Sequence, residues 1–337
     1  MLCFPAFEPH PLLRNPHAQT LAAFFLNGAR PPAASRPHRV VLPDGDALVL
    51  HDDCPQDWPE GGLTALLIHG LAGANDSPYM LRVAERLRRR GVRTFRMDMR
   101  GCGAAAGWSR HPYHAGRSAD VAEALHRIAR LCPKSPAVVI GFSLGGNQVL
   151  KLLGESAGDV PDNVARAAAV CPPIDLHACS DRLRGSAFGL YDRYLTGLMI
   201  QRQRESGRQN GRPPIATGDS PATSADRIDP PPRTLYEFDD HFTAPVCGFG
   251  TAERYYRACS AEQFVPDIRI PTLILAARDD PLIAFEPFER LRLPQAVRLV
   301  ATDGGGHIGF IARRGLDPDR WWMDWRLVEW VTPSNRT

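Results

Sequence analysis

The sequence predicts an α/β fold: a mostly parallel central sheet with helices on both faces and a cap inserted late in the chain. Three features predict it. Short apolar runs alternate with longer amphipathic stretches, the strand–helix–strand rhythm from which parallel sheets are built. One of these runs, Ala137 to Ile140, leads straight into Gly141-Phe142-Ser143-Leu144-Gly145, a glycine-flanked serine at a strand-to-helix corner. The rhythm then stops between Leu176 and Val265 and resumes beyond it.

Taken in order, the strands fall at Thr64 to Ile68, Thr94 to Met97, Ala137 to Ile140, Ala165 to Val170, Thr272 to Ala276 and Ala296 to Val300. The third is marked by the β-branched Val138, Val139 and Ile140, which pack well on a pleated surface. Helices are predicted at Pro78 to Arg90, Ser118 to Leu131 and Gly146 to Glu155, the last placing Val149, Leu150 and Leu153 on one face. The run Arg86 to Arg90 closes the first of these; it reads as a solvated helix end whose positive charge offsets the macrodipole. The segment 176–265 is rich in Arg, Gly, Pro and polar residues, and Gln201 to Pro232 offers little that could bury surface, so part of it is expected to be disordered. The organisation that follows is an N-terminal segment over 1–40 packed on the core, core over 41–175, a cap over 176–265, and core again over 266–337.

Bulk properties exclude several classes. With 44% hydrophobic residues in 337, a sizeable core is available. The net charge is only +3, with no basic tail or stripe, so a nucleic-acid partner is not expected. Eight cysteines form no CxxC pair and no grouping with histidine, which reads as reduced thiols with no metal. Met1 to His10 has neither a basic start nor an apolar core, and no apolar stretch of about 18 residues occurs. A cytoplasmic chain without a stable membrane span is expected.

The chemistry rests on the serine corner. An activated serine needs a general base, a group that orients the base, and donors for an oxyanion. The strand Pro271 to Ala277 ends in Arg278-Asp279-Asp280-Pro281, and the run Ala296 to Val300 leads into Asp303-Gly304-Gly305-Gly306-His307. Ser143 is then the nucleophile and His307 the base, carried on a glycine turn. Asp279 and Asp280 cannot both orient the histidine. Asp280, directly before Pro281 in the turn that leaves the strand, is the expected acid, leaving Asp279 to a structural hydrogen bond or salt bridge. His69-Gly70-Leu71 follows the strand Thr64 to Ile68, where an α/β-hydrolase sheet supplies its second oxyanion donor. The backbone N–H groups of Leu71 and Leu144 are the expected pair, with His69 structural rather than catalytic. No cofactor is needed for this chemistry.

The chain resembles the YheT-like branch of the α/β-hydrolases, which is related to plant embryogenesis-associated hydrolases, yeast medium-chain ethyl ester synthase/esterases and mammalian ABHD lipases. The resemblance rests on Asn15-Pro16-His17-Ala18-Gln19-Thr20-Leu21, His69-Gly70-Leu71 with Ser77-Pro78-Tyr79, Arg100-Gly101-Cys102, Gly141 to Asn147, Phe238-Asp239-Asp240, Asp279-Asp280-Pro281 and Gly305-Gly306-His307-Ile308-Gly309-Phe310. It implies hydrolysis or transfer of short- to medium-chain acyl esters, with Ser143, Asp280 and His307 at the charge-relay positions. Two departures bear on substrate range. Gly103-Ala104-Ala105-Ala106-Gly107 stands where the family has a Gly-Glu-Pro-like turn, and Glu205 to Pro232 is longer and more polar than usual.

The expected partner is a small-molecule acyl ester, with acyl transfer, thioester hydrolysis and monoacylglycerol hydrolysis as alternatives for the same triad, and a non-catalytic binding module as the alternative of another class. Phe238-Asp239-Asp240-His241 reads as a structural network rather than a metal pair. Trp321, Trp322, Trp325 and Trp330 read as packing of a last helix on the sheet, with transient lipid contact as the alternative. Asn15 to Leu21 reads as an anchor for the N-terminal segment.

Overall fold

The computed structural model describes residues 4–26, 35–155, 157–210 and 230–332. Helix α1 (Pro16–Phe25) opens the chain, capped by Asn15, whose side chain accepts from the amides of His17 and Ala18. There follow β1 (Arg36–Val41), β2 (Ala47–Asp53), β3 (Thr64–Ile68), α2 (Pro78–Arg89), β4 (Arg93–Asp98), α3 (Ser118–Leu131), β5 (Ala137–Phe142), α4 (Leu144–Glu155) and β6 (Val164–Val170). The sheet is completed by β7 (Thr272–Ala277) and β8 (Val297–Thr302), which lie beyond the inserted segment. All eight strands form one sheet in the order β1-β2-β4-β3-β5-β6-β7-β8. From β4 to β8 every neighbour pair is parallel, while β1, β2 and β4 pair antiparallel. This is the α/β-hydrolase architecture.

Each expected strand and helix is present within a few residues of its expected bounds. β3, β5 and β7 are buried along their whole length, as strands covered on both faces must be. Apolar clusters fill both faces of the sheet, one around Phe95, Leu125 and Leu150, the other around Leu67, Phe142 and Leu327. Trp330 Nε1 donates to the Ala167 carbonyl and Trp322 Nε1 to that of Pro5, so α11 (Trp322–Val331) packs on the sheet as the tryptophans suggested.

Two further strands, β1 and β2, were not among those expected. β1 is an edge strand with alternating exposure and holds Pro37, whose missing N–H is tolerated at an edge. β2 ends in Asp52 and Asp53, both buried. They accept from Arg93 at 2.6 Å and from Arg96 at 2.7 Å, so the charges that end the strand are neutralised by its neighbour β4. The run Arg86 to Arg90 also needs correction. Arg88 and Arg89 pair with Glu85 near the surface, but Arg86 is only 12% exposed and pairs with Asp319 and Asp324. One member of the basic run is therefore an inter-helix tie between α2 and α11, because α11 places a buried carboxylate there.

After β6 come α5 (Leu176–Gly185) and α6 (Leu190–Asn210), then α7 (Leu235–Phe238), which runs through a π-helical turn, Asp239–Thr243, into α8 (Ala244–Val246), and α9 (Ala252–Cys259). A short α10 (Glu286–Glu289) lies between β7 and β8. Of the stretch expected to include disorder, residues 201–210 continue α6, and 211–229 lie outside the described residues. Among the described residues no helix is long and apolar enough to cross a membrane, and Cys54, Cys102, Cys132, Cys171, Cys179, Cys247 and Cys259 are free thiols.

Two helical glycines give opposite expectations. A Cβ at Gly154 would lie 1.9 Å from the Phe264 carbonyl oxygen, whereas one at Gly197 would meet nothing within 4 Å. Gly154→Ala is expected to destabilise the fold by about 1–3 kcal/mol through overpacking, and Gly197→Ala to stabilise it by up to about 1 kcal/mol through helix propensity. Urea denaturation of the two variants checks this, and equal effects would contradict the packing.

Candidate active site

Ser143 sits at the corner between β5 and α4 with φ +50°, a left-handed conformation costly for a residue with a Cβ. The corner is tight. A Cβ at Gly141 would lie 2.3 Å from the Gly145 carbonyl oxygen, and one at Gly145 would lie 2.6 Å and 2.7 Å from the carbonyl oxygens of His69 and Ile68. Glycine is therefore obligatory on both sides, and the serine amide is held by the Val170 carbonyl at 2.8 Å.

His307 Nε2 lies 3.1 Å from Ser143 Oγ, and His307 Nδ1 lies 2.8 Å from Asp280 Oδ2. The other oxygen of Asp280 accepts from the amides of Leu282 and Ile283, which fixes the carboxylate in the turn after β7. Asp279 turns away and accepts from the Gly306 amide at 2.9 Å; burial pushes its carboxyl above the usual range. The two neighbouring acids thus face different loops, one the imidazole and the other the glycine turn that carries it.

That turn is held from a third direction. The His307 amide donates to Thr20 Oγ1 at 2.9 Å. Gln19, fully buried, donates from its side chain to the carbonyls of Leu13 and Ile311 and accepts from the Ile311 amide. The Asn15 to Leu21 motif therefore anchors the N-terminal segment, as expected, but it does so on the histidine loop, a role the sequence did not disclose. Arg182 of α5 was also missed; it donates to the Asp280 carbonyl at 3.1 and 3.3 Å, and nothing in the local pattern marks it.

Leu144 opens α4, so its amide belongs to the first turn, where N–H groups have no intrahelical acceptor. Leu71 lies in the loop after β3, between Gly70, whose amide donates to the Tyr79 hydroxyl, and Ala72, whose amide donates to the Tyr113 hydroxyl. A Cβ at Gly70 would stand 3.0 Å from Ser143 Cβ, so this loop runs against the nucleophile corner. Arg202 of α6 donates to the carbonyls of Ala72 and Gly73. His69 is fully buried, with Nδ1 2.8 Å from the Gly70 carbonyl and Nε2 accepting from the Met99 amide. Burial pushes its pKa down to about 4, leaving a neutral imidazole that braces the loop.

These groups open on a cavity of about 750 Å³ lined mostly by apolar side chains of α1, α5 and α6, among them Leu21, Leu183 and Leu198. Its wall also holds a carboxyl, Asp239, which accepts from the Tyr256 hydroxyl at 2.8 Å. Burial pushes the Asp239 carboxyl up to about 7, against the lowering effect of hydrogen bonds from Thr243 and Tyr256. Asp240 instead accepts from the Ala252 amide, so the two acids diverge into a structural network and form no metal pair. Asp44, Asp46 and His111 do bring ligand atoms within 4.8 Å of one another, but Arg100 already occupies the two carboxylates at 2.5 and 2.9 Å.

A model of the alpha/beta hydrolase fold family matches residues 66–313. The "Putative esterase YheT" of Escherichia coli is 32% identical over 302 residues, 87% of this chain and 84% of that protein. "Medium-chain fatty acid ethyl ester synthase/esterase 2" of Saccharomyces cerevisiae is 29% identical, over 73% of this chain and 57% of that protein. Among solved structures, Est1E from Butyrivibrio proteoclasticus with ferulic acid bound aligns with a TM-score of 0.52 at 17% identity, over 87% of this chain and 97% of the other. At that identity the likeness speaks for the fold alone.

Asp239 carries a pH prediction. In an unfolded chain an aspartate titrates near about 3.9, whereas in the fold Asp239 holds its proton up to about 7. Between those values the native state binds more protons than the unfolded state, so its contribution to stability falls as pH rises through that window and is constant above it. Asp239→Asn should remove this slope, making the variant progressively more stable relative to the wild type between roughly pH 5 and pH 7.5. Urea denaturation at each pH is the check, and a pH-independent difference would contradict it.

Proposed function

The chain belongs to the α/β-hydrolase family, in its YheT-like branch, and is a hydrolase of esterase type; on that premise we propose that it is a serine carboxylesterase acting on short- to medium-chain acyl esters through an acyl-enzyme. The observation that carries this reading is the unbroken hydrogen-bonded line from Ser143 through His307 to Asp280, facing a largely apolar cavity.

In this mechanism His307 Nε2 accepts the Ser143 proton as Oγ attacks the ester carbonyl carbon. Asp280, held by two backbone amides, keeps the Nδ1 proton pointing at itself and stabilises the imidazolium that forms. The amides of Leu71 and Leu144 receive the negative charge that develops on the carbonyl oxygen. Fixed backbone donors of this kind cost no reorganisation at the moment of reaction. Collapse of the tetrahedral intermediate expels the alcohol, which takes its proton from His307. Water, deprotonated by His307, then attacks the acyl-serine and releases the acid. An alcohol in place of water gives a new ester, so hydrolysis and transfer differ only in what reaches the acyl-enzyme. We assign residues 176–265 the role of a cap, since α5 and α6 supply much of the cavity wall.

Ser143→Ala is expected to lower turnover of p-nitrophenyl butyrate at least about a thousandfold with the melting temperature little changed. Unaltered turnover in that variant would sink the assignment. The choice of acid is tested separately. Asp280→Asn should lower kcat by about 10²- to 10⁴-fold because the imidazole loses its orienting acceptor, while Asp279→Asn, which touches only the glycine turn, should cost about tenfold or less. A larger loss at Asp279 than at Asp280 would reverse their roles.

A further inference from the structure

The wall of the cavity also carries a polar cluster that the proposed reaction does not use. There the π-helical turn between α7 and α8 presents Asp239, and α9 presents Tyr256, whose hydroxyl donates to it. Ser180 of α5 faces the Tyr256 hydroxyl, yet its Oγ, in a residue only 5% exposed, has no hydrogen-bond partner. All three line the same cavity as Ser143 and His307. A hydroxyl left unpaired in a buried position costs on the order of 1–3 kcal/mol, and such a group facing a cavity is satisfied when a ligand supplies the missing partner.

Resting on the esterase reading, we propose that Asp239, Tyr256 and Ser180 form a distal subsite that binds a free hydroxyl group on the substrate, so that the preferred ester carries an alcohol function at the end remote from its carbonyl.

The valences fit a neutral hydroxyl. Tyr256 spends its proton on Asp239 and keeps lone pairs that can accept. Ser180 can both donate and accept. An anionic ligand is disfavoured because it would lie against the Asp239 carboxyl, whose ionised form is already opposed by burial and by the charge of Asp192. Most of the remaining wall surface is apolar, with Leu21, Leu183 and Leu198 among its residues, so a ligand hydroxyl finds partners here while the intervening chain meets mainly hydrocarbon. The subsite is also coupled to the triad through α5. Ser180 stands two residues before Arg182, whose guanidinium holds the Asp280 carbonyl, and the thiol of Cys179, immediately before Ser180, donates to the Leu282 carbonyl in the turn beyond Asp280.

The test uses matched ester pairs differing by one hydroxyl. In the acyl arm, p-nitrophenyl octanoate is compared with p-nitrophenyl 8-hydroxyoctanoate; in the alcohol arm, butyl octanoate with 4-hydroxybutyl octanoate, followed by acid release. The proposal expects the hydroxylated member of at least one pair to have a kcat/KM at least about tenfold higher in the wild type, and the arm that responds identifies which side of the ester the subsite takes. Ser180→Ala and Tyr256→Phe should each bring that ratio down several-fold, with Ser180→Ala the change least able to disturb the fold. Ratios near one in both arms of an active enzyme would overturn the subsite and leave the esterase reading intact. No turnover of any ester by folded protein would overturn the esterase reading, and the subsite with it.

Discussion

The close approach of backbone at the Ser143 corner is the constraint on which the site depends. β5 must turn into α4 within the space left by the end of β3, and it does so only because Gly141 has no Cβ to collide with the Gly145 backbone and Gly145 none to collide with His69 and Ile68. The reward for a left-handed serine is position. Oγ is raised above the carboxyl ends of the parallel strands, Leu144 is placed in the first turn of a helix, and the loop carrying Leu71 is packed against the corner through Gly70. Ser143, the N-terminus of α4 and the loop carrying Leu71 are fixed by the same contact, so none can shift without the others.

What the corner does not fix is the histidine, and that is delegated to distant parts of the chain. A glycine turn has many conformations. Here three acceptors select one: Asp279 at the Gly306 amide, Thr20 at the His307 amide, and Asp280 at the imidazole. Thr20 is separated from His307 by most of the sequence, and Gln19 beside it ties α1 to both polar groups of Ile311. Arg182 reaches in from the inserted segment to hold the Asp280 carbonyl, and Arg202 does the same for the loop at Ala72 and Gly73. The helices α5 and α6 that line the cavity thereby also brace the loops beside it.

The pattern in the sequence and the structure agree where burial is apolar and local. β3, β5 and β7 are continuous hydrophobic runs because both faces are covered, and the glycines around Ser143 are dictated by a contact within five residues. Legibility fails where polarity is neutralised by a partner remote in sequence. β2 opens on the apolar Ala47 to Leu50 but ends in the charged Asp52 and Asp53, and only the fold reveals Arg93 and Arg96 beside them. Arg86 looks solvated until Asp324 arrives from α11. Thr20 is an unremarkable helix residue until the His307 amide is placed against it. The proposed triad was readable because each member lies just beyond a strand end; its supports were not, because they act across the fold.

The central claim is that Ser143 is the group made nucleophilic by this arrangement. The most direct measurement is exposure of the purified chain to a fluorophosphonate, followed by intact-mass analysis and peptide mapping. One adduct per chain, confined to the peptide holding Ser143 and abolished by prior heat unfolding, is the result predicted. An adduct on a different residue, or none on a folded chain that hydrolyses esters, would contradict the account.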